Sequence, residues 1–219
     1  MTSAEKRAAV GGFLWILAMV QYIVAQFVVA AQWRPPYSWW DNYISDLGNT
    51  GCGQFTSNYV CSPLAGLMNA SFIIAGLLTV AGVGLLRSVW PETGMATVGV
   101  LLWILAGAGK VLVGVAPENE NISLHLIGAL NIPLASVAIL LLALASRHSR
   151  LGVFGIVVAV VGLAGLALSI FAPDFIGVGG AERLAGYPAD IWLFVVGGAA
   201  LLPRRASASA STEMLTQVP

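Results

Sequence analysis

Six apolar runs separated by short polar connectors set the pattern of the chain: roughly Val10–Ala31, Pro63–Leu86, Met95–Val115, Leu124–Ala145, Leu151–Ala172, and a last one ending at Leu202. A helix needs about 20 mostly apolar residues to cross a bilayer, and it must satisfy its own backbone N–H and C=O groups on the way. The first five runs meet that length directly. From Pro188 to Leu202 the sixth is too short, so it is read as starting at Ala181 with Pro188 as an internal kink. That start puts Glu182 and Arg183 in its first turn and leaves Asp190 at membrane depth, where an ionisable group is costly. The first run follows Lys6 and Arg7 but is too long for a signal segment, and no small-x-small site precedes Gln32–Trp33, so it is read as retained. The predicted fold is all-α, a bundle of six transmembrane helices.

Composition strengthens this reading. The 219 residues are 58% hydrophobic and 9% charged, with a mean hydropathy of +0.86, whereas a soluble domain carries about 25% charged residues. Ten basic residues balance ten acidic ones, so nucleic acid is not an expected partner and membrane lipids are. A membrane-protein partner or a homo-oligomer is left open.

Basic residues give the orientation. With six crossings, Lys6, Arg7, Arg87, Arg147, Arg150, Arg204 and Arg205 share one side, against Arg34 and Arg183 on the other with Lys110 near its edge. Both termini are therefore expected in the cytoplasm of a multi-pass cell-membrane protein. Residues 1–203 form the membrane domain, and the Ser/Ala-rich residues 204–219 read as a disordered tail. Cys52 and Cys61 both fall in the first outer loop and are expected to pair in an oxidising compartment.

That loop contains the most unusual stretch, PPYSWWDNYISDLGNTGC, where acids, serines and amides alternate with aromatics. Ser38 and Asp41 fit a capping box, Trp39, Tyr43 and Leu47 follow at helical spacing, and Gly48 ends the pattern. The prediction is a short helix lying in the outer interface, its aromatics at headgroup level. Asp46 would then sit near a helix C-terminus, where a negative charge is unfavourable, so it calls for a cation or a donor from another element.

Polar residues inside the other spans supply candidates. Lys110 lies about two turns below Pro117; it either snorkels to the interface or faces inward to pair with Asp46, Glu118 or Asp190. Asn69 reads as helix–helix glue or a ligand contact. His125 titrates near neutral pH and is the best candidate for proton transfer. Pro133, on the same face, frees the carbonyl of Ala129. Arg183, Tyr187 and Asp190 fall at i, i+4 and i+7 and form one inward stripe.

Several functions drop out. The two histidines, His125 and His148, lie on opposite sides of the bilayer, so neither haem nor zinc has a ligand set, and no metal or cofactor is predicted. The GVGG at Gly177–Gly180 lacks the Lys-Ser/Thr of a phosphate loop. A hydrolase triad of Ser45, His125 and Asp46 is disfavoured because Ser45 and Asp46 are adjacent in sequence. Whether any reaction is catalysed stays open.

YISDLGN, SPLAGLMNASFIIAGLL, GAGKVLVGVAPENENISLHLIGA and GGAERLAGYPADIW together resemble a bacterial and archaeal family of six-span membrane proteins, domain of unknown function 998. The residues carrying the resemblance are Ser45, Leu47 and Gly48; Asn69; Pro117 and His125; and Glu182 with Arg183. It covers the chain from the first span to Leu202 and implies the six-span fold and a shared outer polar cluster, without an activity. Lys110 and the Cys52/Cys61 pair lie outside the family pattern.

The expected function is an outward-opening polar pocket that binds a lipid headgroup or small amphiphile through Ser45, Asp46, Asn69, Lys110, His125, Glu182, Arg183 and Asp190. The alternatives are a small-molecule or proton-coupled transporter, disfavoured by the apolar inner half and the lack of an internal repeat, and a structural or regulatory partner of another membrane protein.

Overall fold

The computed structural model describes residues 2–55 and 58–202; the predicted tail at 204–219, with Arg204 and Arg205, lies outside the described residues. Six helices are long and apolar enough to cross a membrane. The first, α1 (Ser3–Ala30), starts before the apolar run because Thr2 and Glu5 form a capping box. The Thr2 hydroxyl accepts from the Glu5 N–H at 3.2 Å, and the Glu5 carboxylate accepts from the Thr2 N–H at 2.7 Å. Satisfying these otherwise orphaned donors carries the helix through the charged Glu5–Lys6–Arg7 segment.

A small antiparallel hairpin, β1 (Gly53–Phe55) and β2 (Asn58–Val60), interrupts the first connection. It is the one pair of strands among the described residues and was not expected from the sequence. The Cys52–Cys61 disulfide closes its base, next to the Gly53–Val60 pair. Beyond it come α2 (Ala65–Leu85) and α3 (Gly94–Val115). The fourth span is broken into α4 (Ile122–Ala129) and α5 (Asn131–Ala145). Pro133 offers no N–H to Ala129, and the Asn131 side chain occupies the Gly128 carbonyl at 2.8 Å. Last are α6 (Arg150–Phe171) and α7 (Val178–Leu201), the latter with Pro188 inside it. It begins at Val178 rather than Ala181, because Gly177 turns the chain at φ 73° and the N–H groups of Gly179 and Gly180 donate to the Trp40 carbonyl at 2.8 and 3.0 Å.

Each span packs on its neighbour in sequence and α7 closes the ring on α1. The connections α1–α2, α3–α4 and α6–α7 share one end, called here the polar end; the N-terminus and the other connections share the terminal end. Without a hydrophobic driving force between helices in lipid, close backbone approach holds such a ring. Reciprocal glycines provide it. A Cβ on Gly12 would lie 2.5 Å from the Gly197 carbonyl oxygen, and one on Gly197 would lie 2.6 Å from that of Gly12. The Gly109–Gly128 pair does the same between α3 and α4, at 2.8 and 2.9 Å.

The core has two parts. In the terminal half, Trp15, Trp90, Trp103 and Trp192 are buried together. Trp103 stacks on Trp192 with centroids 5.5 Å apart, and Trp15 lies within 5.8 Å of all three. In the polar half, Tyr22, Val29, Met68 and Phe72 pack against Trp33, Ile44, Leu47 and Val60 of the first connection. The expected interfacial helix over Ser38–Gly48 is replaced there by a turn at Ser38–Asn42 and a single 3-10 turn, Ser45–Gly48.

The ring closure is testable with two alanines on one turn. Gly197→Ala should lower the thermal stability of the purified protein by about 1–3 kcal/mol through overpacking against α1. Gly198→Ala, whose added Cβ meets nothing within 4 Å, should leave the unfolding temperature unchanged.

Candidate functional site

Residues 31–55 and 58–64 form a strap that crosses the polar end, and α7 dictates its shape. Glu182 accepts from the Ile44 backbone N–H. Arg183 Nη1 lies 2.9 Å from the carbonyl oxygens of Trp39, Asn42 and Gly179, and Nη2 donates to the Tyr37 hydroxyl. Its guanidinium also rests over the rings of Trp39 at 5.0 Å and Tyr37 at 5.4 Å. Backbone groups that a helix would have paired internally are thus taken by two adjacent side chains of α7, which explains why the predicted helix does not form. Half of the Ser38–Asp41 capping box forms: the Asp41 N–H donates to the Ser38 hydroxyl at 3.2 Å, but the Ser38 N–H donates to the Asn42 amide oxygen at 3.0 Å, and the arrangement closes a turn.

The far side of the strap is held by α2, where Asn69 donates to the Gly48 carbonyl at 2.9 Å, and within the strap Ser62 donates to the Leu47 carbonyl at 2.7 Å. A Cβ on Gly48 would lie 2.3 Å from the Asn69 amide oxygen, so a larger residue there would displace the Asn69 side chain.

Asp46 does not meet a cation. It is buried, accepts from the Tyr43 N–H at 2.9 Å and from the Asn42 amide at 3.4 Å, and faces Glu118. The cation or donor from another element that the sequence calls for is corrected on this point: Asn42 and Tyr43 of the strap itself satisfy Asp46, Lys110 pairs with Asp190, and Arg183 is committed to carbonyls. Glu118 Oε1 has no donor, so the shared proton belongs on Glu118. Burial drives its pKa up to about 9, the hydrogen bond and charge of Asp46 push the same way, and the Ser45 hydroxyl opposes them. Burial likewise pushes the Tyr37 hydroxyl well above its ordinary range, against the Arg183 charge.

Beneath Ser45 lies a cavity of about 60 Å³ between α1, α2, α3, α4–α5 and α7. Ser45, Lys110, His125, Glu182 and Asp190 line its polar part; Phe72, Val113, Ile132 and Leu193 are among its apolar walls. Lys110 faces inward: its ammonium lies 3.2 Å from Asp190 Oδ1 and 4.0 Å above the centre of the Tyr22 ring. His125 Nδ1 lies 2.9 Å from the Ala116 carbonyl. A carbonyl only accepts, so Nδ1 carries a proton, and the other nitrogen, Nε2, stands 4.0 Å from Glu118 Oε2. At the other end Trp103 lines the cavity, and its buried indole N–H has no acceptor in the protein.

Of the eight residues singled out from the sequence, five line the cavity, whereas Asp46, Asn69 and Arg183 shape the strap above it. Tyr22, Tyr37 and Trp103 were missed, and Glu118 was weighed only as a partner for Lys110. A signal existed for Tyr22: with Gln21 and Gln26 it interrupts the apolar first span. Both glutamines are used inward, Gln21 with Ser71 and Gln26 with the Tyr187 hydroxyl, each at 2.8 Å. Among the described residues no group of three or more His, Cys, Asp or Glu could hold a metal ion.

The family model described as "Protein of unknown function (DUF998)" matches residues 15–199. No curated protein matches the chain, and no solved structure does.

The Asp46–Glu118 pair makes stability depend on pH. The fold keeps the Glu118 proton up to about pH 9 whereas the unfolded chain releases it near 4.5, so the folded state binds more protons between those values and stability falls as pH rises through them. Thermal unfolding followed across that range should show the decline in the wild type and a shallower one in Glu118→Gln. Parallel profiles for the two proteins would refute the shared proton.

Proposed function

The chain belongs to the DUF998 family of proteins of unknown function, and from the geometry of the site we propose that it binds a small membrane amphiphile or lipid headgroup in the cavity beneath the strap. The observation that carries this reading is the Lys110–Asp190 pair, held at membrane depth beside a cavity rather than packed away. A buried ion pair contributes little net stability compared with apolar residues of the same volume. Its presence in an apolar bundle points to a role beyond folding.

The cavity also matches an amphiphile along its length. Trp103 and Lys110 are seven residues apart on α3, or about 10 Å at 1.5 Å per residue. His125, Glu182 and Ser45 offer polar contacts towards the strap, aliphatic and aromatic walls follow, and the Trp103 N–H awaits an acceptor at the other end. Transport across the bilayer is less well supported, because the four-tryptophan cluster lies between this cavity and the terminal end. The same reading places the protein in the cell membrane with the strap outside and both termini in the cytoplasm. Lys6, Arg7, Arg87, Arg147 and Arg150 at the terminal end support that orientation.

Native mass spectrometry of the protein released from nanodiscs tests the binding role. The wild type should retain a discrete small amphiphile at one per chain. The double variant Lys110→Gln/Asp190→Asn, which removes both charges and keeps hydrogen-bonding groups, should lose at least about tenfold of that occupancy, a change of about 1.4 kcal/mol. Equal retention by both proteins, or none by the wild type, would contradict the proposal.

A further inference from the structure

The cavity has two sides from which an occupant could arrive, and they differ sharply. Towards water it is covered by the strap. Ile44, Leu47, Gly48 and Asn49 of the strap are buried, and the strap is fastened to α7 through Glu182 and Arg183 and to α2 through Asn69. The Cys52–Cys61 disulfide closes its hairpin.

Towards lipid the wall is thin. Because the fourth span breaks at Leu130, α4 packs on α3 and makes at most marginal contact with α6 and α7. His125 and Gly128 are its only buried residues, while Leu124, Leu126 and Ile127 are exposed. The cavity lining contributed by α4 and α7 includes small residues, Ala129 on one helix and Gly186 and Ala189 on the other, beside His125, Glu182, Asp190 and Leu193. A Cβ added at Gly186 would meet nothing within 4 Å, although this residue lines the cavity.

We propose that the cavity is filled sideways from the bilayer, through the gap between α4 and α7, and that its occupant is therefore a lipid-phase amphiphile rather than a water-borne solute. This inference rests on the binding role proposed above and specifies the source of the ligand. The strap, in the same account, is a fixed roof and not a gate.

Thiol labelling in nanodiscs, where water reaches both faces of the membrane, tests the route. The two native cysteines are joined in the disulfide, so Ala106→Cys introduces a single free thiol at a buried, cavity-lining position on α3. N-ethylmaleimide, which dissolves in lipid, should label it; the permanently charged methanethiosulfonate ethyltrimethylammonium reagent should label it at least about a hundredfold more slowly than it labels Glu92→Cys on the exposed connection. Adding Gly186→Leu to Ala106→Cys should slow the maleimide reaction about tenfold, with an unchanged gel-filtration profile as the check on folding. Rapid labelling by the charged reagent would show a water route and overturn the proposal. So would no labelling by either reagent, or a maleimide rate indifferent to Gly186→Leu. Failure here with an amphiphile still seen by mass spectrometry would remove the lateral route alone; an open lateral route without retained amphiphile would remove the binding role alone.

Discussion

Two adjacent side chains on α7 hold the strap by opposite ends of the peptide dipole. Glu182 accepts a backbone N–H of the strap and Arg183 donates to its backbone carbonyls. Arg183 is buried and Glu182 half-buried, and each charge would be costly there without those partners. The strap in turn has no internal helix to satisfy these groups, so neither element is stable in this form without the other. The placement of Ser45 over the cavity, the burial of Ile44 and Leu47, and the Asp46–Glu118 contact all depend on that reciprocal arrangement.

The surrounding bundle supplies a frame that can carry it. Reciprocal glycine contacts at Gly12–Gly197 and Gly109–Gly128 bring backbones together where side chains would hold them apart. The tryptophan cluster fills the terminal half, and the polar half is left to the cavity and its ion pair. Polarity therefore changes along the bundle axis, and the Lys110–Asp190 pair sits near the change.

The spans were legible because membrane crossing imposes a length and a composition that survive in any single sequence. The inward stripe of Arg183, Tyr187 and Asp190 was legible for a related reason, since burial in lipid is too costly for such groups. Only the serine half of the Ser38–Asp41 capping box forms, and the helix it implied is absent, because the competing partners lie some 140 residues away on α7. The partner of Asp46 was misassigned on the same account: local donors from Asn42 and Tyr43 satisfy it, and only the fold brings Glu118 alongside. The hairpin at Gly53–Val60 is two three-residue strands with little pattern to read, and the break at Leu130 needed the Asn131 side chain as well as Pro133.

Hydrogen exchange at the Ile44 amide is the most direct measure of whether the strap is an integral roof. The amide is bound by a buried carboxylate in this account, so peptides covering residues 37–49 of the protein in nanodiscs should contain an amide protected at least about a hundredfold relative to an unstructured chain. Glu182→Gln, with a weaker acceptor, should reduce that protection while leaving exchange in α2 and α3 unchanged. Exchange of the Ile44 amide at the rate of a free loop in the wild type would show that α7 does not hold the strap.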